Sequence, residues 1–254
     1  MMVLLRSLLV WILGGSLTIS LASIAILFSL FKAQIFVHKI AIFWGRSLCF
    51  LCGIEIEINY LERLSKQTPI IILANHQSLF DVVVFYSFLE IPFRWMAKAS
   101  LFTIPIFGKA MKGAGHIPVE REDPKKAKES LFKAAQIIRS GTSVILFPEG
   151  TRGKEDGNLL PFKKGAFVLA KMSEVTIQPI TIWGANKVIP IQKGKWIQRV
   201  YPNLVQVFIH EPLEFSQIQD LSVEELSLKI REILEYPISK LKLRQEVEES
   251  LKTW

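Results

Sequence analysis

The chain has 254 residues, half of them hydrophobic and only 21% charged, with a formal net charge of +8. That length carries one sizeable core plus an appendage, and the composition excludes a disordered or low-complexity chain. Two cysteines exclude a disulfide framework, and the positive balance asks for an anionic partner: nucleic acid, phospholipid head groups or a phosphorylated substrate.

In chain order, the first feature is a run of 25 residues without a charge, Ser7 to Phe31. As a helix it would be roughly 37 Å long, against a hydrocarbon core of about 30 Å. The apolar region of a cleaved signal peptide is shorter, about 7–15 residues, and ends at small residues. Here the run continues to Phe31 and Lys32, so a membrane anchor is expected.

Ala33 to Gly53 has another texture. Lys32, Lys39 and Arg46 recur every seven residues and fall on one helical stripe, among Ile35, Phe36, Ile40, Phe43, Trp44 and Phe50. This is the pattern of an amphipathic helix at a membrane surface, its cations reaching toward head groups. A core helix with one wet face gives the same pattern, and the two segments could also form a hairpin in one leaflet. Cys49 and Cys52 lie among Leu and Phe with no second pair for zinc, so they read as small apolar side chains. Positive charge is heavier after the long apolar run than before it, which places the remaining chain on the cytoplasmic face of the membrane. Residues 1–53 are therefore assigned to membrane association and residues 54–254 to one domain.

From residue 54 short β-branched runs read as strands: 54–58, 69–74, 143–148, 175–182 and 204–211. Helical patterns cover 78–90, 124–139 and 222–236. The alternation predicts an α/β domain with a mixed, mainly parallel sheet flanked by helices. Functional residues should lie in loops at strand ends.

One such loop is Ile72 to Val84, "ILANHQSLFDVVV". The apolar strand stops at Asn75. Ser78 fits a helix N-cap, with Asp81 three residues on to complete a capping box. His76 then sits in the turn, from which its imidazole can fold back to Asp81. The carboxylate would fix the tautomer and stabilise an imidazolium. The alternative is a cap with a bystander histidine, and on this stretch alone the two readings stand even. A Ser–His–Asp hydrolase triad fits less well, because Ser78 is needed as the cap and lacks a nucleophile-elbow context.

Further along, "GHIPVER" spaces Gly115 and Arg121 six apart, and "FPEGTR" delivers Glu149, Gly150, Thr151 and Arg152 from the end of a buried strand. "VTIQPI", Val175 to Ile180, supplies a proline in an apolar run. In order and spacing these blocks, with "NHQSLFD", resemble those of the 1-acylglycerol-3-phosphate (lysophosphatidic acid) acyltransferase family. The first and third blocks match fully, the second at its Gly and Arg, and the fourth loosely. The likeness covers roughly residues 54–210.

The resemblance implies transfer of a fatty acyl group from acyl-coenzyme A or acyl-carrier protein to the sn-2 hydroxyl of lysophosphatidic acid, giving phosphatidic acid. It implies His76 as general base and Asp81 as its partner. Arg121, Arg152 and the backbone around Gly150 and Thr151 would hold the acceptor phosphate, as guanidinium forks and close glycine backbone allow. Glu149 and Lys98 join them as further substrate contacts. No cofactor and no metal are implied, since a thioester carries its own good leaving group. The same chemistry serves other acceptors, among them glycerol-3-phosphate, other lysophospholipids and lyso-amino-lipids. A catalytically dead lipid-binding protein would be expected to have lost His76 or Asp81, and both stand. Membrane lipids are the expected neighbours. Nucleic acid is not, because no basic–aromatic groove pattern occurs. Lys125, Lys126 and Lys128 at a helix start, and Lys163 and Lys164 after the third block, could extend a basic site. His38, His116 and His210 read as structural.

Overall fold

The computed structural model describes residues 2–120, 122–153, 155–190 and 198–252. In chain order the elements are α1 (Met2–Leu30), α2 (Gln34–Cys52), β1 (Ile54–Asn59), β2 (Ile71–Ala74), α3 (Phe80–Phe88), β3 (Phe93–Lys98), α4 (Phe107–Gly113) and β4 (Ile117–Val119). They continue with α5 (Pro124–Arg139), β5 (Ser143–Leu146), α6 (Lys164–Ser173), β6 (Ile177–Trp183), α7 (Ala185–Val188), β7 (Asn203–Ile209) and α8 (Val223–Lys252).

The seven strands form one sheet in the order β1-β7-β6-β2-β5-β3-β4. From β6 to β4 every neighbour is parallel; β7 runs antiparallel to β6, and β1 runs parallel to β7. The mixed, mainly parallel sheet expected from the strand runs is thus present. Central β2 is fully buried because helices cover both faces, so it reads as a continuous apolar run. From Ile70, just before it, the side chains alternate between two cores. Ile70, Ile72 and Ala74 join Val84, Phe85, Phe93, Trp95 and Ile182 on one face. Ile71 and Leu73 join Ile138, Phe167, Leu169, Ile230 and Leu234 on the other.

The first core also takes in Val10, Leu48, Cys49 and Cys52, so α1 and α2 are seated on the sheet side of the molecule. Both cysteines are buried free thiols. At Gly45 the backbone of α2 approaches α3 so closely that a Cβ would lie 2.6 Å from Tyr86 Cβ. Polar contacts pin α1 along its length. Arg6 donates to the carbonyls of Cys52 and Val200, Trp11 Nε1 donates to the carbonyl of Gln198, and Thr18 accepts from Trp44 Nε1. The outward faces stay apolar, with Ile12, Leu13, Leu27, Phe36, Phe43 and Phe50 exposed.

Short helices α4 and α7 were not expected from the sequence, and β3, α6 and α8 also differ from that reading. The segment Phe93–Lys98 is a strand, although Arg94 and Lys98 interrupt its apolar character; Phe93, Trp95 and Met96 are the buried positions. The lysines after the third block open a helix, α6. The last helix passes through Pro237 instead of stopping before it. Proline removes a backbone donor and disturbs the preceding turn, and here the Thr181 hydroxyl donates to the Leu234 carbonyl. The side chain of the sheet thus satisfies an acceptor beside the interruption.

Candidate active site

Because β2, β3, β4, β5 and β6 are parallel, their C-terminal ends share one edge of the sheet. The first and third sequence blocks emerge there, after β2 and β5, while the fourth, Val175 to Ile180, leads into β6 from the other edge. Leu73 of β2 is in register with Leu146 of β5. His76 and Glu149 each follow three residues later, which puts them at the same height. The Glu149 carboxylate accepts from the His76 backbone N–H at 2.7 Å.

The His76 ring Nδ1 lies 2.7 Å from Asp81 Oδ2. The same oxygen accepts from the backbone N–H groups of Gln77 at 2.7 Å and Ser78 at 2.9 Å. A carboxylate taking up two amide donors acts as an acceptor, so Nδ1 carries the hydrogen and Nε2 the lone pair. Asp81 is fully buried, while the His76 side chain keeps 15% of its surface. The imidazole is stacked on Phe147, with ring centres 4.0 Å apart and planes within 3°. Phe147 in turn stacks on Trp95. The ring plane is therefore fixed by an aromatic wall and its rotation by a carboxylate.

Helix α3 starts one to two residues later than expected, with Leu79 at the N-cap position and no side-chain cap of its own. Ser78 Oγ accepts instead from Phe80 N–H at 3.3 Å. The reach of Asp81 back to the Ser78 amide is half of a capping box. The capping reading and the His–Asp reading are thus the same carboxylate.

Glu149 is buried, and burial raises its pKa, opposed by the His76 and Leu160 amides that its two oxygens accept from. The Leu160 bond is 2.8 Å. The next residue, Gly150, has φ of 69°, the left-handed conformation that turns the chain sharply after Pro148 and Glu149. The turn leaves Thr151 and Arg152 exposed. Lys163 lies against Gly150, while Lys164 pairs with Glu224 of α8. Lys98 is exposed at the end of β3, in register with Val119 of β4. Gly115 precedes β4, and Arg121 lies outside the described residues. Among the described residues, no group of three His, Cys, Asp or Glu side chains is placed to hold a metal ion. Two open depressions around Arg63 and Glu211 border the opposite edge of the sheet and contain none of these side chains.

The sequence pattern of the family described as Acyltransferase matches residues 55–183, just over half of the chain, and spans this whole arrangement. The chain belongs to the acyltransferase family. It is 37% identical to the chloroplastic 1-acyl-sn-glycerol-3-phosphate acyltransferase BAT2 of Brassica napus, over 78% of this chain and 56% of that protein. It is 31% identical to the 1-acyl-sn-glycerol-3-phosphate acyltransferase of Escherichia coli, over 78% of each. The crystal structure of the 1-acyl-sn-glycerophosphate acyltransferase PlsC from Thermotoga maritima superimposes with a TM-score of 0.79 at 27% identity, covering 94% of this chain and 95% of that one. The chain spans about half the length of the chloroplastic relatives it matches.

In this acyltransferase-family chain the described site residues fall into two sets. His76, Asp81 and Glu149 interlock through hydrogen bonds, whereas Lys98, Thr151 and Arg152 stand exposed on the same edge. Phe147, which supports the imidazole, was not singled out from the sequence. Its signal was its place inside "FPEGTR", one residue past a fully buried strand. The other histidines are held structurally. His116 Nδ1 accepts from Trp95 N–H and its Nε2 faces Tyr86 Oη; His210 Nε2 bonds Thr181 Oγ1. Desolvation, then the Arg94 charge, pushes His116 down to about 3, and desolvation, then Arg63, pushes His210 down to about 4.

A neutral histidine that would charge on unfolding makes the unfolded state bind more protons, so stability falls as pH drops below about 6.5. Unfolding by urea in detergent is expected at progressively lower midpoints from pH 6.5 toward pH 4. His116→Asn should flatten that slope. An unchanged slope in the variant would show that His116 does not contribute to it.

Proposed function

We propose that the protein transfers a fatty acyl group from an acyl thioester to the sn-2 hydroxyl of lysophosphatidic acid, forming phosphatidic acid in phospholipid synthesis. The bond between His76 Nδ1 and Asp81 Oδ2 carries this reading. It leaves a basic Nε2 at a partly open position, beside a turn whose exposed residues include Arg152. The names of the family relatives supply the acceptor class.

His76 Nε2 takes the proton from the acceptor hydroxyl as its oxygen attacks the thioester carbonyl carbon. Asp81 stabilises the imidazolium that results. The tetrahedral intermediate collapses, the carbon–sulfur bond breaks, and the proton passes to the departing thiolate. No covalent acyl-enzyme is needed, because a thiolate is a good leaving group. Arg152, Arg121 and Lys98 bind the acceptor phosphate, aided by backbone around Gly150 and Thr151. Glu149 serves as a positioning residue, since both of its oxygens are engaged by backbone amides.

The helices α1 and α2 are both long and apolar enough to cross a membrane by length and composition. Contacts of α1 with the 198–200 segment near its start, and with Trp44 in its middle, favour a hairpin lying in one leaflet over a span leaving the domain. Exposed Phe36, Phe43 and Phe50 would meet lipid, with the domain on the cytoplasmic side. Acceptor and product, both lipids, are then within reach of the site.

The test is an assay of the purified full chain in detergent with labelled acyl-coenzyme A or acyl-carrier protein. Lysophosphatidic acid, glycerol-3-phosphate and lysophosphatidylethanolamine are offered in parallel. Phosphatidic acid from the first acceptor is the expected product. Turnover of another acceptor alone would replace the substrate assignment, and no product from a folded protein would end the reading.

A further inference from the structure

Both backbone polar groups of His76 are held by one segment, the stretch from Glu149 to Leu160. Its Glu149 carboxylate accepts from the His76 N–H at 2.7 Å, and its Gly153 N–H donates to the His76 carbonyl at 2.7 Å. The other Glu149 oxygen accepts from Leu160 N–H at 2.8 Å, closing the segment into a loop. That closing point is gripped from outside. Arg231 of α8 donates to the Leu160 carbonyl at 3.0 Å and to the Leu159 carbonyl at 3.1 Å. Its guanidinium lies 5.5 Å from the Phe162 ring centre, and Glu235 lies 3.6 Å from its Nε.

We propose that Arg231 is a positioning residue for acyl transfer, acting through Leu160 and Glu149 on the backbone of His76. The inference rests on the function proposed above. It adds a part of the chain beyond the residues 55–183 that define the family match. A planar fork holding two successive carbonyls fixes the peptide plane between them. That plane carries the Leu160 N–H, so the fork aims the amide at Glu149. Without the fork, Glu149 keeps one donor in place of two, and its raised pKa rises further because the Leu160 bond is one of the contacts lowering it. The His76 turn then loses its fixed height against Phe147 and Asp81. Displacement of a catalytic group by about an ångström costs up to about a hundredfold in rate.

The experiment uses the full chain in detergent, with labelled acyl-coenzyme A and lysophosphatidic acid as probes. Arg231→Ala is expected to lower kcat about tenfold to a hundredfold with KM for both substrates within about twofold. Arg231→Lys, which retains one donor group but not the fork, should recover part of the loss. Glu224→Ala, which releases the Lys164 ion pair of the same helix without touching the loop, should leave kcat unchanged. In parallel, hydrogen exchange of the peptide containing residues 75–81 should quicken at least about tenfold in Arg231→Ala and not in Glu224→Ala. Unchanged kcat and exchange in folded Arg231→Ala would overturn the proposal, as would a change confined to KM. Should the alanine variant fail to fold, wild-type kcat and exchange in Arg231→Lys would overturn it equally. A wild type without acyl transfer removes the function reading, while the exchange measurement still decides whether Arg231 positions the His76 turn.

Discussion

Replacing His76 by alanine is expected to lower kcat for acyl transfer by about a thousandfold while leaving the fold intact. A positioned general base contributes about 10² to 10⁴ in rate, and the described site offers no second imidazole. His116 and His210 are turned to structural bonds and pushed down to about 3 and about 4. The stability cost is small for two reasons. The backbone bonds of residue 76 to Glu149 and Gly153 survive the substitution. What is lost is one ring stacked on Phe147, worth about 0.5–1.5 kcal/mol beyond its area, and one of the three donors to Asp81 Oδ2. Initial rates and melting curves on the same preparation check both halves. A variant retaining more than a tenth of the wild-type rate would remove His76 as the base.

Asp81→Asn should behave differently, losing activity and stability together. The wild-type Oδ2 accepts from two backbone amides and an imidazole, and Oδ1 is buried without a hydrogen-bond partner among the described residues. An asparagine can place its oxygen toward the three donors only by putting its NH₂ where Oδ1 lay. The shape is kept, but the charge that supports the imidazolium is gone. Loss of the orienting carboxylate in a comparable His–Asp pair costs up to about 10⁴ in rate. Hydrogen bonds to a charged acceptor contribute about 1.5–3 kcal/mol each, so weakening two of them at the start of α3 should lower the melting temperature visibly. Rates across pH 6–9, set beside the melting temperature, separate the two effects. If the variant melts early yet turns over at the wild-type rate, Asp81 is a cap and nothing more.

The two variants also show what the sequence could and could not reveal. The turn after β2 was legible because an apolar run stops abruptly and a polar cluster follows. Helix α5 was legible to its limits: Asp123 accepts from the Lys125 and Lys126 amides, and Pro124 opens the first turn. The role of Glu149 was not legible. Its bond to His76 depends on β2 and β5 being sheet neighbours in a particular register, and no local pattern encodes strand order. Strand β3 was missed because half-buried Arg94 and exposed Lys98 interrupt the apolar signal of Phe93, Trp95 and Met96. Helix α8 was cut short at Pro237, a fair inference from propensity, whereas the helix runs through the proline with Leu234 and Ile238 buried on either side of it. Arg231 lies on that helix, so the residue whose guanidinium holds the Leu159 and Leu160 carbonyls sat outside every recognisable block.

The reversed pair at the sheet's margin governs where the two apolar N-terminal helices join the domain. Since β1 and β7 run against the other five strands, β1 begins where β2, β5 and β6 finish. Gly53, the last cap of α2, is therefore delivered to the rim that bears His76. Had β1 followed the common direction, its six residues at about 3.3 Å each would have carried that junction roughly 20 Å away, to the opposite rim. The reversed polarity of β1 and β7 thus sets the junction with the two apolar helices on the rim that carries His76. On the function proposed above, an insoluble acceptor in the leaflet that holds α1 and α2 would reach the imidazole without crossing open water.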